Sequence, residues 1–171
     1  MSWLDAWLPQ GQSEADAVVA AVSQAARQPA LFADGAMPDT MDGRLEMLTL
    51  IASLALIRLE AEQNARRKAQ RFADTLFRHI DAGLREAGVG DLSVPKRMRA
   101  LAGRFYGRVN AYSAAVKAGD ENALADAIAR NTPAGAFAPQ LARHALNVHS
   151  ALAACPAGAL ADAEAWPQPA A

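Results

Sequence analysis

From Met47 to Ile57 the chain reads MLTLIASLALI, a run interrupted only by Thr49 and Ser53. At helical spacing Leu45, Leu48, Ala52, Ala55 and Leu59 mark one stripe, while Leu50, Ile51, Leu54, Leu56 and Ile57 fill nearly every other face. A helix that is apolar all round must be buried all round, so the rest of the chain has to be arranged about it. The run is too short for a bilayer, which takes about 20 apolar residues. This central helix starts after Asp39–Thr40, either of which can cap it, and extends to about Gln63.

The composition supports helices elsewhere too. Of the 171 residues 52% are hydrophobic but only 6% aromatic, because alanine carries much of the apolar count. The expected fold is all-α, a single-domain bundle of about six helices around the buried one. Residues 1–12 read as an N-terminal segment, 13–155 as the helical domain, and 156–171, with Pro167 and Pro169, as a loose tail. The first helix starts at Ser13, a capping residue followed by Glu14 and Asp16, and stops before Pro29. The third covers about Arg66 to Ala87, the fifth Asp120 to Arg130, and the sixth Phe137 to Ala154. The start MSWLDAWLPQ lacks the basic and apolar regions of a secretory signal, so a cytoplasmic protein is expected. In that segment Trp3, Leu4, Trp7 and Leu8 form a small amphipathic unit, suited to docking on the core or to a membrane interface.

Between the third and fourth helices lies a glycine-rich joint. Gly88 fits a left-handed helix end with Val89 packing back on the last turn, and Gly90 follows. Ser93 is placed to cap the fourth helix, whose first turn tolerates Pro95. Along that helix, Val94, Met98, Leu101, Phe105, Val109, Tyr112 and Val116 fall within about 40° of one line at 100° per residue. Ala100, Gly103, Gly107, Ala111 and Ala114 fall on the opposite side. Glycine in a helix interior costs roughly 1 kcal/mol, so Gly103 and Gly107 imply close packing and a fourth helix covered on both faces.

No catalytic or metal-binding pattern emerges. Gly88-Val89-Gly90-Asp91 follows a helix rather than a strand and lacks the lysine and third glycine of a phosphate loop. His144 and His149 are five apart, which puts them on different helix faces. The lone Cys155 excludes an internal disulfide, and no serine sits in a nucleophile–base pattern, so neither cofactor nor metal is expected. Charge is the stronger signal. Residues 63–117 hold twelve basic and four acidic side chains, net +8, against −6 before them and −3 after. A basic middle third points to an anionic lipid surface or ribosomal RNA, or to internal pairing with acidic neighbours. Asp74–Arg78 and Asp81–Arg85 have the spacing of intrahelical ion pairs. Arg97, Arg104 and Arg108 recur along one flank of the fourth helix's apolar stripe, where they border a groove or cover the core edge.

The run LREAGVGDLSV at 84–94 resembles a signature of the ubiquinol–cytochrome c chaperone family, whose "FYGR" is matched by Phe105-Tyr106-Gly107-Arg108, with Ala111-Tyr112 after it. Asp81 fits the family's aspartate before "LRE", Ile80 replaces its methionine, and Gly43-Arg44-Leu45-Glu46 resembles its "GRFE". The likeness spans roughly residues 40–131 and suggests a bacterial-type, single-domain member. It implies a non-enzymatic factor that assists newly made cytochrome b into the respiratory bc1 complex. In mitochondria such proteins act beside the ribosome and the inner membrane with a small partner subunit, so those partners, or a homo-oligomer, are implied as well. Taken with the basic flank and apolar stripe of the fourth helix, the partner-binding candidates are Asp81, Arg85, Asp91, Arg97, Arg104, Phe105, Tyr106, Arg108 and Tyr112, with Gly88, Gly90, Pro95, Gly103 and Gly107 shaping the joint and the helix after it. Two competing readings are a lipid- or quinone-related enzyme using Asp81, Asp91, Tyr106 and Arg108 as a polar pocket, and a plain peripheral membrane or RNA-binding module.

Overall fold

The apolar run does form the buried helix. The computed structural model describes residues 13–33, 36–86, 88, 90 and 93–169. In chain order it contains α1 (Glu14–Ala25), α2 (Met41–Glu60), α3 (Ala65–Glu86), α4 (Val94–Ala118), α5 (Glu121–Asn131) and α6 (Ala138–Ala154). Among the described residues there is no strand, and the fold is all-α. Every residue of α2 from Leu50 to Ile57 is buried, and α1, α3, α4 and α6 all pack on this helix. The two hydroxyls that interrupt the run are satisfied locally. Thr49 Oγ1 donates to the Leu45 carbonyl and Ser53 Oγ to the Thr49 carbonyl, both at 2.7 Å, so neither enters the core with an unmet donor.

Local chemistry sets the helix ends. Ser13 and Asp16 form a reciprocal capping box at α1. Thr40 Oγ1 accepts from the Gly43 amide at 3.1 Å to open α2, and Asp120 accepts from the Ala123 amide at 2.9 Å to open α5. Ser93 does not cap α4. Its φ and ψ of −90° and −27° are helical, its hydroxyl bonds no helix amide, and its own N–H closes a turn on the Gly90 carbonyl. A capping side chain needs extended backbone to reach forward, and this turn denies it.

The tail expected to be loose is packed. Two 3-10 turns, Ala157–Ala161 and Ala163–Ala165, lie against α1. Leu160 and Trp166 are buried, and Trp166 Nε1 donates to the Leu160 carbonyl at 3.2 Å. Upstream, Arg58 of α2 donates to the carbonyls of Leu152 and Cys155, fixing the end of α6. Ala- and Pro-rich composition suggested looseness, but two large apolar anchors are enough to hold this short segment. The Trp3/Trp7 unit lies outside the described residues.

Trp166→Ala should therefore lower stability by about 3 kcal/mol, the usual cost of truncating a buried indole. Thermal melting checks this, and an unchanged midpoint would return the tail to the loose category.

Candidate functional site

The site is built on α4, which uses its two sides differently. On the inner side Val94, Phe105, Val109, Tyr112 and Val116 are buried, with Met98 and Leu101 half-buried beside them. Burial pushes the Tyr112 phenol well above its ordinary pKa, an effect that Arg108 opposes and Glu46 reinforces, so it stays neutral. On the outer side Ala100, Gly103, Gly107, Ala111 and Ala114 are all exposed. A Cβ built on Gly103 or Gly107 would meet nothing within 4 Å. The expectation that α4 is covered on both faces is thus overturned, because the neighbouring helices reach only its inner side and its flanks.

A cleft of about 420 Å³ opens between the start of α2, the end of α3 and the first half of α4. Leu45, Leu84 and Leu101 give it apolar walls, and Met41, Arg97 and Arg104 stand among its lining residues. Met41, 48% exposed, and Tyr106, 43% exposed, are the exposed large hydrophobic residues among those described. Tyr106 belongs to an aromatic group with Phe77 and Phe105, whose ring centroids lie 6.2 and 5.3 Å from its own. Phe77 and Phe105 meet edge to face at 5.5 Å. This group ties α3 to α4 on the flank away from the arginines.

The three arginines on the other flank divide. Arg97 and Arg104 line the cleft. Arg108 turns inward and grips both carboxylate oxygens of Glu46 on α2 at 3.1 Å. It also donates to the side chain of Asn131 at 2.9 Å and, through a short bond, to the Asn131 carbonyl at the end of α5. With Arg108 16% and Glu46 11% exposed, this tie among three helices is shielded from solvent, and Arg108 is not part of the open rim. Arg104 approaches the same carboxylate at 3.8 Å. The sequence allowed pairing of the basic middle third with acidic neighbours but did not single out Glu46, 62 residues away. The available signal was the carboxylate itself. Set beside an otherwise apolar run, it demands a cation from another element.

On α3, Arg85 Nε donates to Asp81 at 2.7 Å as the spacing predicted. Asp74 and Arg78 do not pair. Asp74 accepts from Gln70, whereas Arg78 bonds Thr75 and leans toward Asp16 of α1 at 3.8 Å. At the joint, Gly88 has the left-handed φ of +80° that its role as a helix end requires. Asp91, and Val89 with its expected packing, lie outside the described residues. Pro95 stands exposed in the first turn of α4. The enzyme-like pocket does not assemble from the described members of its set. Tyr106 opens to solvent, Arg108 is held by Glu46, and Asp81 is held by Arg85. His144 is buried on α6, and burial lowers its pKa. Burial, then Arg58 and Lys117, lower that of His149. No group of three or more potential metal ligands gathers among the described residues.

The arrangement, an apolar cleft with cationic edges beside a smooth helical face, is suited to holding another molecule rather than to transforming one. Residues 33–166 match the ubiquinol–cytochrome c chaperone family. The chain belongs to that family. The crystal structure of the Cbp3 homolog from Brucella abortus is similar with a TM-score of 0.74 and 41% identity, over 86% of this chain and 84% of that one. No curated protein matches the chain. The match takes in the cleft, the whole of α4 and the Glu46–Arg108–Asn131 tie, so the ubiquinol–cytochrome c chaperone domain extends past α6 to the buried Trp166.

Arg108→Ala should cost about 3 kcal/mol, because it strands the Glu46 carboxylate in a shielded site. Arg108→Met combined with Glu46→Leu should recover most of that loss. Denaturant unfolding of the three proteins checks this, and an equal loss in the double variant would show that shape rather than charge is at stake. Gly103→Ala and Gly107→Ala behave oppositely. Each should raise stability by up to about 1 kcal/mol, since helix propensity improves and nothing obstructs the new methyl. A fall in melting temperature would reveal an internal contact on the outer face.

Proposed function

We propose that this chain is a non-enzymatic assembly factor that assists newly made cytochrome b into the respiratory bc1 complex, engaging it through the α4 cleft and its basic rim. Family membership supports the general role, and the Brucella abortus Cbp3 homolog is a relative of the same shape. The observation that carries the reading is the coincidence of three features at one place. The apolar cleft, its arginines Arg97 and Arg104, and the exposed Met41 share one opening beside α4. A factor that shelters a membrane-protein client needs apolar surface to receive it and a polar edge to release it. No catalytic group or cofactor is required.

A second reading of the same region is an anionic surface, either ribosomal RNA or lipid headgroups. Lys96, Arg97 and Arg99 crowd the first turns of α4 without an ion-pair partner among the described residues, at the helix end where cations are least favoured. No described helix is long and apolar enough to cross a membrane. We place the protein in the cytoplasm, peripheral to the inner membrane, near the site of client synthesis. A small partner subunit or a second copy would share the surfaces left open by α3 and α4.

Deleting the gene in a respiring host should reduce cytochrome b and assembled bc1 complex while other respiratory complexes persist. Arg97→Glu with Arg104→Glu should fail to restore them although its circular dichroism stays native. Arg108 is left unchanged, since its loss damages the fold. Normal bc1 levels in a clean deletion would remove the proposed function.

A further inference from the structure

We propose that the cleft and the adjoining outer face of α4 form one continuous track for an α-helix of a partner protein, and that this helix carries small residues along its contact line and a carboxylate for Arg97 and Arg104. The inference rests on the partner-binding reading of α4 and specifies the chemistry of the occupant.

Charge accounting gives the carboxylate. Glu46 is gripped by Arg108 through both oxygens, and Arg104 reaches the same group only at 3.8 Å. Arg97, also in the cleft lining, has no ion-pair partner among the described residues. Among the described residues Asp42 is the single acidic one in that lining, and its place in the first turn of α2 already suits it to that helix's positive end. The cleft is therefore short of negative charge. A carboxylate entering beside the apolar walls would meet two guanidinium forks, whose planar donors match its geometry. A second copy presenting its own cleft here would bring the same cations to the same place and be repelled, so a second copy would have to use a different surface.

The glycines give the helix. Gly103 and Gly107 both lie within α4, so no unusual backbone conformation calls for them. Neither meets another described part of the chain within 4 Å of its would-be Cβ. Two residues that each weaken the helix thus have no packing reason among the described residues. One turn apart, they let a second backbone come close, the way small residues spaced four apart do where helices pack without large side chains between them. Ala100 belongs both to the cleft lining and to this face, so the track runs without a break from Ala100, beside the arginines, past Gly107 to Ala111. That is a length of about 16 Å, or three helical turns. Its face carries no charge at Ala100, Gly103, Gly107 or Ala111, which suits an apolar helix and not a polyanion backbone that would need cations throughout.

The test uses two labelled helical peptides of Leu and Ala with glycine at every fourth position, identical except that one ends in two Glu and the other in two Lys. Fluorescence anisotropy against the full chain should show the Glu peptide binding at least roughly tenfold more tightly. Arg97→Ala with Arg104→Ala should erase the difference between the peptides. Gly107→Leu should weaken both by at least roughly tenfold while its melting temperature holds or rises, because the new side chain obstructs only the track. Equal binding of the two peptides, or Gly107→Leu binding as wild type, overturns the proposal. So does capture by phosphatidylglycerol vesicles with no peptide binding, which would assign the face to lipid. In the deletion host, Gly107→Leu should fail to restore bc1 complex. Full restoration by a Gly107→Leu chain that no longer binds peptide would overturn the helix track and leave the assembly role standing. Normal bc1 levels in the deletion would remove that role whatever the peptides do.

Discussion

The contact on which the rest of the structure depends is the grip of Arg108 on Glu46. Hydrophobic burial drives α2 to the centre, but burial is non-directional and leaves a helix free to slide or rotate among partners of similar apolarity. Two shielded charges remove that freedom. Glu46 stands at one end of the buried run and is answered from α4 and, through Asn131, from α5. Arg58 stands at the other end and is answered by Glu62 and by carbonyls at the end of α6. Each charge would be costly if left unpaired at this depth, so each admits one register of its neighbours. α2 is thereby pinned at both ends, and α4, α5 and α6 are indexed to it.

The same pinning shapes the cleft. Gly43, one turn before Glu46, lies so close to the preceding loop that a Cβ there would come within 2.0 Å of the Pro38 carbonyl oxygen. The chain crosses the start of α2 at that point, and Met41 and Asp42 are carried to the cleft wall opposite Arg97 and Arg104. A salt bridge from Arg44 to Asp39, at 2.6 Å, spans the same turn, although at its exposure it contributes little by itself. The position of the first wall is thus a consequence of the loop fitting against a glycine, and that of the second a consequence of Arg108.

Much of this was legible in the sequence, and the exceptions share a cause. The buried helix was fixed by apolar residues on every face, the start of α1 by Ser13 and Asp16, and the turn at Gly88 by the end of an amphipathic run. These are signals that a few neighbouring residues contain in full. What was not legible depends on elements far apart in the chain. Arg108 could be placed on a helix flank but not assigned to Glu46. Asp74 and Arg78 had ideal spacing, yet Thr75 and Asp16 of another helix attracted the arginine. The Ala- and Pro-rich tail looked loose because the helix its turns pack on, α1, lies at the far end of the chain. The open face of α4 was misjudged for the same reason. Small residues say that something approaches closely, but not whether that something is in the same chain.

That last misreading is also informative about function. A helix that folds by one face alone can accept substitutions on the other without losing stability, and α4 has this property to an unusual degree. Its inner stripe joins the core, Arg108 joins the ionic tie, and the outer row from Ala100 to Ala114 is exposed among the described residues. Arg104 stands at the boundary, 3.8 Å from Glu46 and half exposed, and Arg97 lines the same cleft. Selection for stability alone would place alanine, or a longer helix former, at 103 and 107. The proposed helix track accounts for glycine there, because the weakness of the free helix is outweighed when another backbone lies against it.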